Sequence, residues 1–250
     1  MTSLIEAGEG AALPPTDEPV VRADHVWKLH QLGDEVVKAL VDATLTVLPG
    51  EFACLMGPSG SGKSTLLNMI GGLDRPTKGT VFIDGTDTAT LSESQFAALR
   101  HDTVGFIFQS YNLIPFLSAV ENVELPLMFE PVNRGALRQR ALDLLDLVGL
   151  SHRANHQPAK LSGGEQQRTA IARSLIGQPR LVLADEPTAN LDQRTGAIVV
   201  RLLRDLCSSM SVTVVASTHD PLVAEEASRV LRMQDGRIVS NTNQSHQPEA

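Results

Sequence analysis

The sequence predicts an α/β fold in which a body of alternating strands and helices carries an inserted helical lobe. Three observations predict it. Short, near-continuous apolar runs at 52–56, 104–108, 181–184 and 212–217 have the length and composition of strands buried on both faces. A glycine-rich loop stands between the first of these runs and a helical segment. From 112 to about 176 the strand pattern lapses and helical spacing takes over, and strand–helix alternation returns at Arg180.

The elements follow in order. Residues 36–40 and 44–47 read as short strands, with a turn at Pro49-Gly50. The run 52–56 is a buried strand, and 63–70 has helical character. Residues 79–85 read as a strand closed by a turn, and 91–100 as a helix with Ser92 or Ser94 near its start. Within the lobe, Leu137, Ala141, Leu144, Leu145 and Val148 recur at three- and four-residue spacing, and Gly149 sits where a helix-ending glycine belongs. A helix at 198–207 separates the strands at 181–184 and 212–217. The chain closes on a hairpin, 229–233 and 237–239, around Asp235-Gly236.

Composition narrows the function. With 250 residues, 42 % hydrophobic and 20 % charged, the chain is ordinary globular material for one or two domains. Its net charge of −8 argues against nucleic acid as a partner, because that affinity comes from clustered Lys and Arg. Cys54 and Cys207 are its two cysteines and form no CxxC pair, which fits a reducing cytosol and neither a disulfide framework nor a zinc site. No stretch approaches the run of roughly 18 apolar residues that a membrane-spanning helix needs. Residues 1–20 lack the basic start and apolar core of a signal peptide and are expected to form a disordered tail. A second tail is expected at 241–250, leaving one domain at 21–240.

The segment Gly57-Pro58-Ser59-Gly60-Ser61-Gly62-Lys63-Ser64 fits the phosphate-loop pattern G-x-x-x-x-G-K-[ST], in the strand–loop–helix context the mechanism requires. Glycines let backbone N–H groups converge on phosphate oxygens, and the helix N-terminus adds unpaired donors. Lys63 can reach the β- and γ-phosphates, the Ser64 hydroxyl suits Mg²⁺, and Thr65 follows in the same first turn. Further on, the apolar strand at 181–184 ends in Asp185 and Glu186. Ligands of open parallel sheets sit at the C-terminal ends of strands, so Asp185 is expected beside the phosphate loop as a Mg²⁺ ligand. Glu186 is expected to orient or deprotonate a water that attacks the γ-phosphate.

Ser162-Gly163-Gly164 precedes a predicted helix and makes a second phosphate-binding N-terminus with a serine cap. The octapeptide Leu161-Ser162-Gly163-Gly164-Glu165-Gln166-Gln167-Arg168 resembles the signature sequence of ABC transporter ATP-binding subunits, and the resemblance runs from about Val21 to Val239. It implies the ABC ATPase fold: a P-loop NTPase core with an N-terminal antiparallel β region and an inserted α-helical lobe. It further implies that Gln109 is the Q-loop glutamine, touching Mg²⁺ and water; that Asn190-Leu191-Asp192 is the D-loop; and that His219 is the switch histidine contacting the γ-phosphate. In the family the phosphate loop of one protomer faces the signature of another. Ser162, Gly163, Gly164 and Asp192 would then bind ATP in trans, in a homodimer with two composite sites. The family's adenine-stacking aromatic, commonly Tyr, falls here on His30, with Trp27 three residues earlier.

The segments 33–35, 66–74, 105–109 and 121–127 resemble the lipoprotein-release and macrolide-export branch, which also includes a cell-division ATPase that signals to wall hydrolases. Membership implies an ATP hydrolase on the inner face of the cell membrane, held there by an integral membrane permease. Export, extraction or transmembrane signalling is the implied task, with regulation of a cell-division complex as the alternative. The segment from Tyr111 to Phe129 is rich in large apolar residues interrupted by Pro115 and Pro126. Some of those side chains are expected at the surface, and by resemblance the region forms the groove that docks the permease.

Overall fold

A computed structural model describes residues 18–244. The chain begins with β1 (Val21–Leu32) and β2 (Glu35–Val47), followed by β3 (Phe52–Met56), α1 (Lys63–Ile70), β4 (Lys78–Ile83) and β5 (Thr86–Asp87). Then come α2 (Glu93–Thr103), β6 (Val104–Ile107), α3 (Ala119–Glu124), α4 (Arg134–Leu147) and α5 (Gly163–Leu175). The last third holds β7 (Leu181–Asp185), α6 (Gln193–Met210), β8 (Thr213–Thr218), α7 (Pro221–Glu226), β9 (Arg229–Gln234) and β10 (Arg237–Asn243).

Two sheets result. An antiparallel sheet has the order β2-β1-β4-β5. A six-stranded sheet has the order β10-β9-β3-β8-β7-β6, parallel throughout except for β10. Alternation along the central strands explains the near-continuous apolar runs. Phe52 and Cys54 of β3, like Val182 and Ala184 of β7, face a core shared with α4, α5 and α6. Ala53, Leu55, Leu181 and Leu183 face a second core, where Leu66, Leu67, Met69 and Ile70 of α1 pack between the two sheets. Neither face meets water, so no polar residue is needed at every second position. In the lobe, α3, α4 and α5 pack on one another, and α5 also touches β6 and α6.

Several boundaries differ from the sequence reading. The two expected strands at 36–40 and 44–47 are one strand, β2, bent at Asp42. Asp42 has φ +58, and its carboxylate meets His25 Nδ1 at 2.7 Å across irregular pairing with β1, so the polar residue marks a bulge and not a break. The expected tail at 241–250 starts too early: Asn241, Thr242 and Asn243 pair with Leu231, Val230 and Arg229, and polar residues suit this edge strand. Residues 245–250 lie outside the described residues. The N-terminal tail expected at 1–20 is also too long, since the Val20 N–H donates to the Val47 carbonyl at 2.9 Å and Val20 is buried. Residues 1–17 lie outside the described residues. The helix expected at 198–207 gains turns at both ends as α6, started by an Asp192 cap. The lobe is less helical than its apolar spacing suggests, with turns filling 125–133 and 148–162 between its helices.

Candidate nucleotide site

The phosphate loop joins β3 to α1. Gly62 is the N-cap of α1, at φ +98, and offers no side chain to pair the first-turn N–H groups. Those donors therefore face the loop, where an anion is favoured. A Cβ at Gly62 would approach the Ala39 carbonyl oxygen to 2.6 Å, so both backbone conformation and close approach require glycine. Lys63 is 6 % exposed; its ammonium donates to the Gly57 and Pro58 carbonyls at 2.8 and 3.0 Å and lies 3.8 Å from Glu186 Oε1.

The sheet order brings the acidic pair to the same place. β7 and β8 are parallel neighbours with Asp185 opposite Ser217, and β8 also neighbours β3. Ser64 Oγ donates to Asp185 Oδ1 at 2.9 Å, and the buried Ser217 hydroxyl donates to the same oxygen. A hydroxyl and a carboxylate this close are hard oxygen donors that fit Mg²⁺, an ion that keeps several waters and needs few protein ligands.

Glu186 has φ +48, an unfavourable backbone region for a side chain of this size, and such strain concentrates at functional sites. Its carboxylate accepts from Thr218 Oγ1 at 3.3 Å and from His219 Nδ1 at 3.0 Å. A carboxylate only accepts, so Nδ1 carries the proton and Nε2 is left to face elsewhere. His219 is 62 % exposed while Glu186 is 14 % exposed, so the imidazole covers the carboxylate from the solvent side.

The remaining residues named from sequence make no described side-chain hydrogen bond or ion pair to this cluster. Gln109 is exposed on the loop after β6, and its carbonyl accepts from Asn190 Nδ2 at 2.8 Å. Ser162 caps α5 through a capping box: its hydroxyl accepts from the Glu165 N–H at 3.3 Å, and Glu165 Oε2 accepts from the Ser162 N–H at 2.8 Å. That N–H donor, together with Arg153, holds the Glu165 carboxyl below its ordinary value despite partial burial. Asp192 caps α6, and the Thr195 N–H and hydroxyl donate to it and lower its pKa. His30 is exposed on β1 opposite Val37, and Trp27 is half-buried opposite Lys78. Among the described hydrogen bonds and ion pairs, none joins Ser162, Asp192 or His30 to the phosphate loop.

Three contributors escape the sequence reading. Ser217 lies two residues before His219 on β8, and strand register was the one signal that could have placed it against Asp185. Gln167 and Arg173 of α5 are buried and donate to backbone carbonyls: Gln167 to Pro187, and Arg173 to Tyr111 and Asn112. Nothing local distinguishes them from solvated helix residues.

Comparison with known proteins agrees with the geometry. A family model described as ABC transporter matches residues 40–189. An uncharacterized ABC transporter ATP-binding protein of Thermotoga maritima is 48 % identical over 213 residues, 85 % of this chain and 91 % of that protein. The macrolide export ATP-binding/permease protein MacB of Brucella melitensis is 45 % identical over 234 residues; these are 93 % of this chain and 36 % of MacB. Among solved structures, the dimeric post-hydrolysis state of the ATP-binding cassette MJ0796 bound to ADP and Pi superposes with a TM-score of 0.83 at 44 % identity, covering 89 % of this chain and 98 % of that one. The MJ0796 protein itself comes from Methanocaldococcus jannaschii. The chain therefore belongs to the ABC transporter family as an ATP-binding, ATP-hydrolysing cassette, with macrolide-export proteins among its relatives.

Proposed function

We propose that two copies of this chain sandwich two ATP molecules, each between the phosphate loop of one copy and the Ser162-Gly163-Gly164 turn of the other, and that closure drives a membrane permease in export or extraction. The observation that carries this reading is the division of the site. Lys63, Ser64, Asp185, Glu186 and His219 converge through contacts of 2.9–3.8 Å, while the Ser162 cap bonds to Glu165 and no described hydrogen bond or ion pair joins it to them. A half-site plus a separate anion-binding helix start is what a head-to-tail pair completes.

In this reading the first-turn N–H groups of α1 and the Lys63 ammonium hold the β- and γ-phosphates. Ser64 and Asp185, with Gln109, would hold Mg²⁺, which would supply neutralising charge to those phosphates. Glu186 orients the attacking water and takes its proton as the water oxygen bonds to the γ-phosphorus and the bond to the β,γ-bridging oxygen breaks. His219, tethered through Nδ1, presents Nε2 to the γ-phosphate, while Ser217 and Thr218 keep both carboxylates aimed. His30 or Trp27 covers adenine, and Asp192 lies at the contact between the two copies.

The permease docks near the segment from Tyr111 to Phe129. Phe116 and Phe129 are 74 % and 90 % exposed. Nearby, a cleft of about 780 Å³ runs between α2, the end of β6 and the lobe, with Leu73, Phe106, Phe108 and Leu127 among its apolar lining. No described helix is long and apolar enough to cross a membrane, so a peripheral place on the inner face comes through that partner. The test is Glu186→Gln: gel filtration is expected to show a dimer in ATP and a monomer without it, with hydrolysis lost. Near-normal turnover, or no ATP-dependent shift, sinks the proposal.

A further inference from the structure

Gln167 lies in the second turn of α5 and is fully buried. Its Nε2–H donates to the Pro187 carbonyl at 2.7 Å, while its Oε1 is buried with no partner among the described residues. The orientation is forced, since only the nitrogen can donate to a carbonyl. Buried polar atoms are nearly always satisfied, and a methionine or leucine would leave no orphaned oxygen. Such a residue would instead leave the buried Pro187 carbonyl without its donor, so apolar packing does not explain a glutamine at this position.

Its contact does. Pro187 follows Glu186, whose left-handed backbone aims the carboxylate at His219 and Thr218. Several hydrogen bonds hold this strained turn, among them one from the Thr188 hydroxyl to Asp220. The Glu186 N–H donates to the Ser217 carbonyl at 2.9 Å, and the Ala189 N–H donates to the Glu186 carbonyl at 3.2 Å. Gln167 adds another, which alone among the described hydrogen bonds ties the turn to α5.

We propose that Gln167 is a positioning residue for hydrolysis, keeping Glu186 in the conformation that aims its carboxylate and making that aim depend on the placement of α5. The inference rests on Glu186 being the water-orienting group. The first turn of α5 also carries Gly163 and Gly164, so seating that turn on a nucleotide and aiming Glu186 are displacements of one helix.

Gln167→Met keeps the volume and removes the donor. The full-length variant is expected to melt somewhat below the wild-type temperature, because the buried Pro187 carbonyl loses its donor, yet to bind ATP with unchanged affinity and show unchanged KM. Its kcat is expected to fall by about 10- to 100-fold, the scale of a displacement of about 1 Å at a reacting group. Gln167→His, which returns an N–H donor of similar reach, is expected to regain much of the loss. In a Glu186→Gln background, Gln167→Met should cost nothing further, because both act on one group. A kcat within about twofold of wild type, or the same proportional loss in the Glu186→Gln background, overturns the proposal. If Gln167→Met melts low, Gln167→His and Gln167→Leu are compared at equal folded fraction: recovery with His alone supports positioning, and equal loss in both overturns it. Full turnover in Glu186→Gln by itself strikes the underlying reading instead.

Discussion

Gly164 offers the sharpest test of how the signature turn is held. It lies in the first turn of α5, and a Cβ there would meet Thr195 Cγ2 at 2.2 Å. Non-bonded carbons sit about 3.5–4.0 Å apart, so Gly164→Ala must displace something by more than about 1 Å. Thr195 cannot swing aside freely: its hydroxyl donates to Asp192 Oδ2 at 2.7 Å, and rotating the methyl away breaks that bond, while the N–H bond to Asp192 Oδ1 at 3.0 Å that caps α6 stays. The alternative is to part α5 from α6. Overpacking of this kind costs about 1–3 kcal/mol and the lost hydroxyl bond about 0.5–1.5, while alanine's helix propensity returns up to about 1. The net loss of about 0.5–4.5 kcal/mol lowers Tm by about 1–18 °C in a domain of this size, read by circular dichroism. Thr195→Ser keeps the hydroxyl and removes the methyl, so Gly164→Ala with Thr195→Ser should recover most of that loss. A Gly164→Ala protein that melts with wild type, or a double variant no better than the single, refutes this account of the contact.

Other expectations are simpler. Phe116→Glu should leave folding and ATP binding intact, because the ring is exposed, yet abolish permease-stimulated hydrolysis; normal pull-down of the permease would remove Phe116 from the docking face. The capping carboxylates predict an acid limb. Glu165 and Glu121 lie below their ordinary 4.5 in the folded chain, held there mainly by donors on Ser162 and Ser118. Their contribution is complete above the unfolded value and is lost as pH falls through the depressed folded value. Glu165→Gln, which can cap without titrating, should therefore flatten part of the Tm fall below about pH 4.5, and an unchanged acid limb would argue against the box. Burial pushes the thiols of Cys54 and Cys207 up to about 12, so both should resist a thiol reagent at pH 8 until the chain is unfolded. Rapid native labelling of Cys54 would contradict its burial.

What the sequence made legible was local. The phosphate loop is eight consecutive residues at a strand–helix junction, and its order alone places Lys63 and Ser64 on one helix start. The pairing of Glu186 with His219 needed one more inference, that two buried runs are neighbouring strands, and the β7–β8 register supplies it. Long-range backbone acceptance was not legible. The partners of Gln167 and Arg173 are carbonyls, which carry no residue identity, at separations of 20 and 62 positions. Asp42 misled for a related reason: a polar residue inside an apolar run reads as a break until its partner His25, 17 residues away, is known.

The same long-range bonds explain why the site can behave as one unit. A 13-residue helix, about 20 Å long, bears on three loops that the chain reaches at very different times. Its first turn packs Gly164 against Thr195, beside the cap formed by Asp192. Its second turn holds Pro187, next to Glu186. Its last turn sends Arg173 to the carbonyls of Tyr111 and Asn112, which sit at φ +61 and +49 directly after the loop of Gln109. Burial lowers the Arg173 pKa, yet an arginine stays charged, so a desolvated cation is tolerated here in return for clamping two strained residues. Packed interiors transmit displacement and do not absorb it. A shift of α5 as a body must therefore reach the glutamine loop, the glutamate turn and the Asp192 cap together, and only side-chain freedom at Gln109 and His219, both exposed, can decouple their tips.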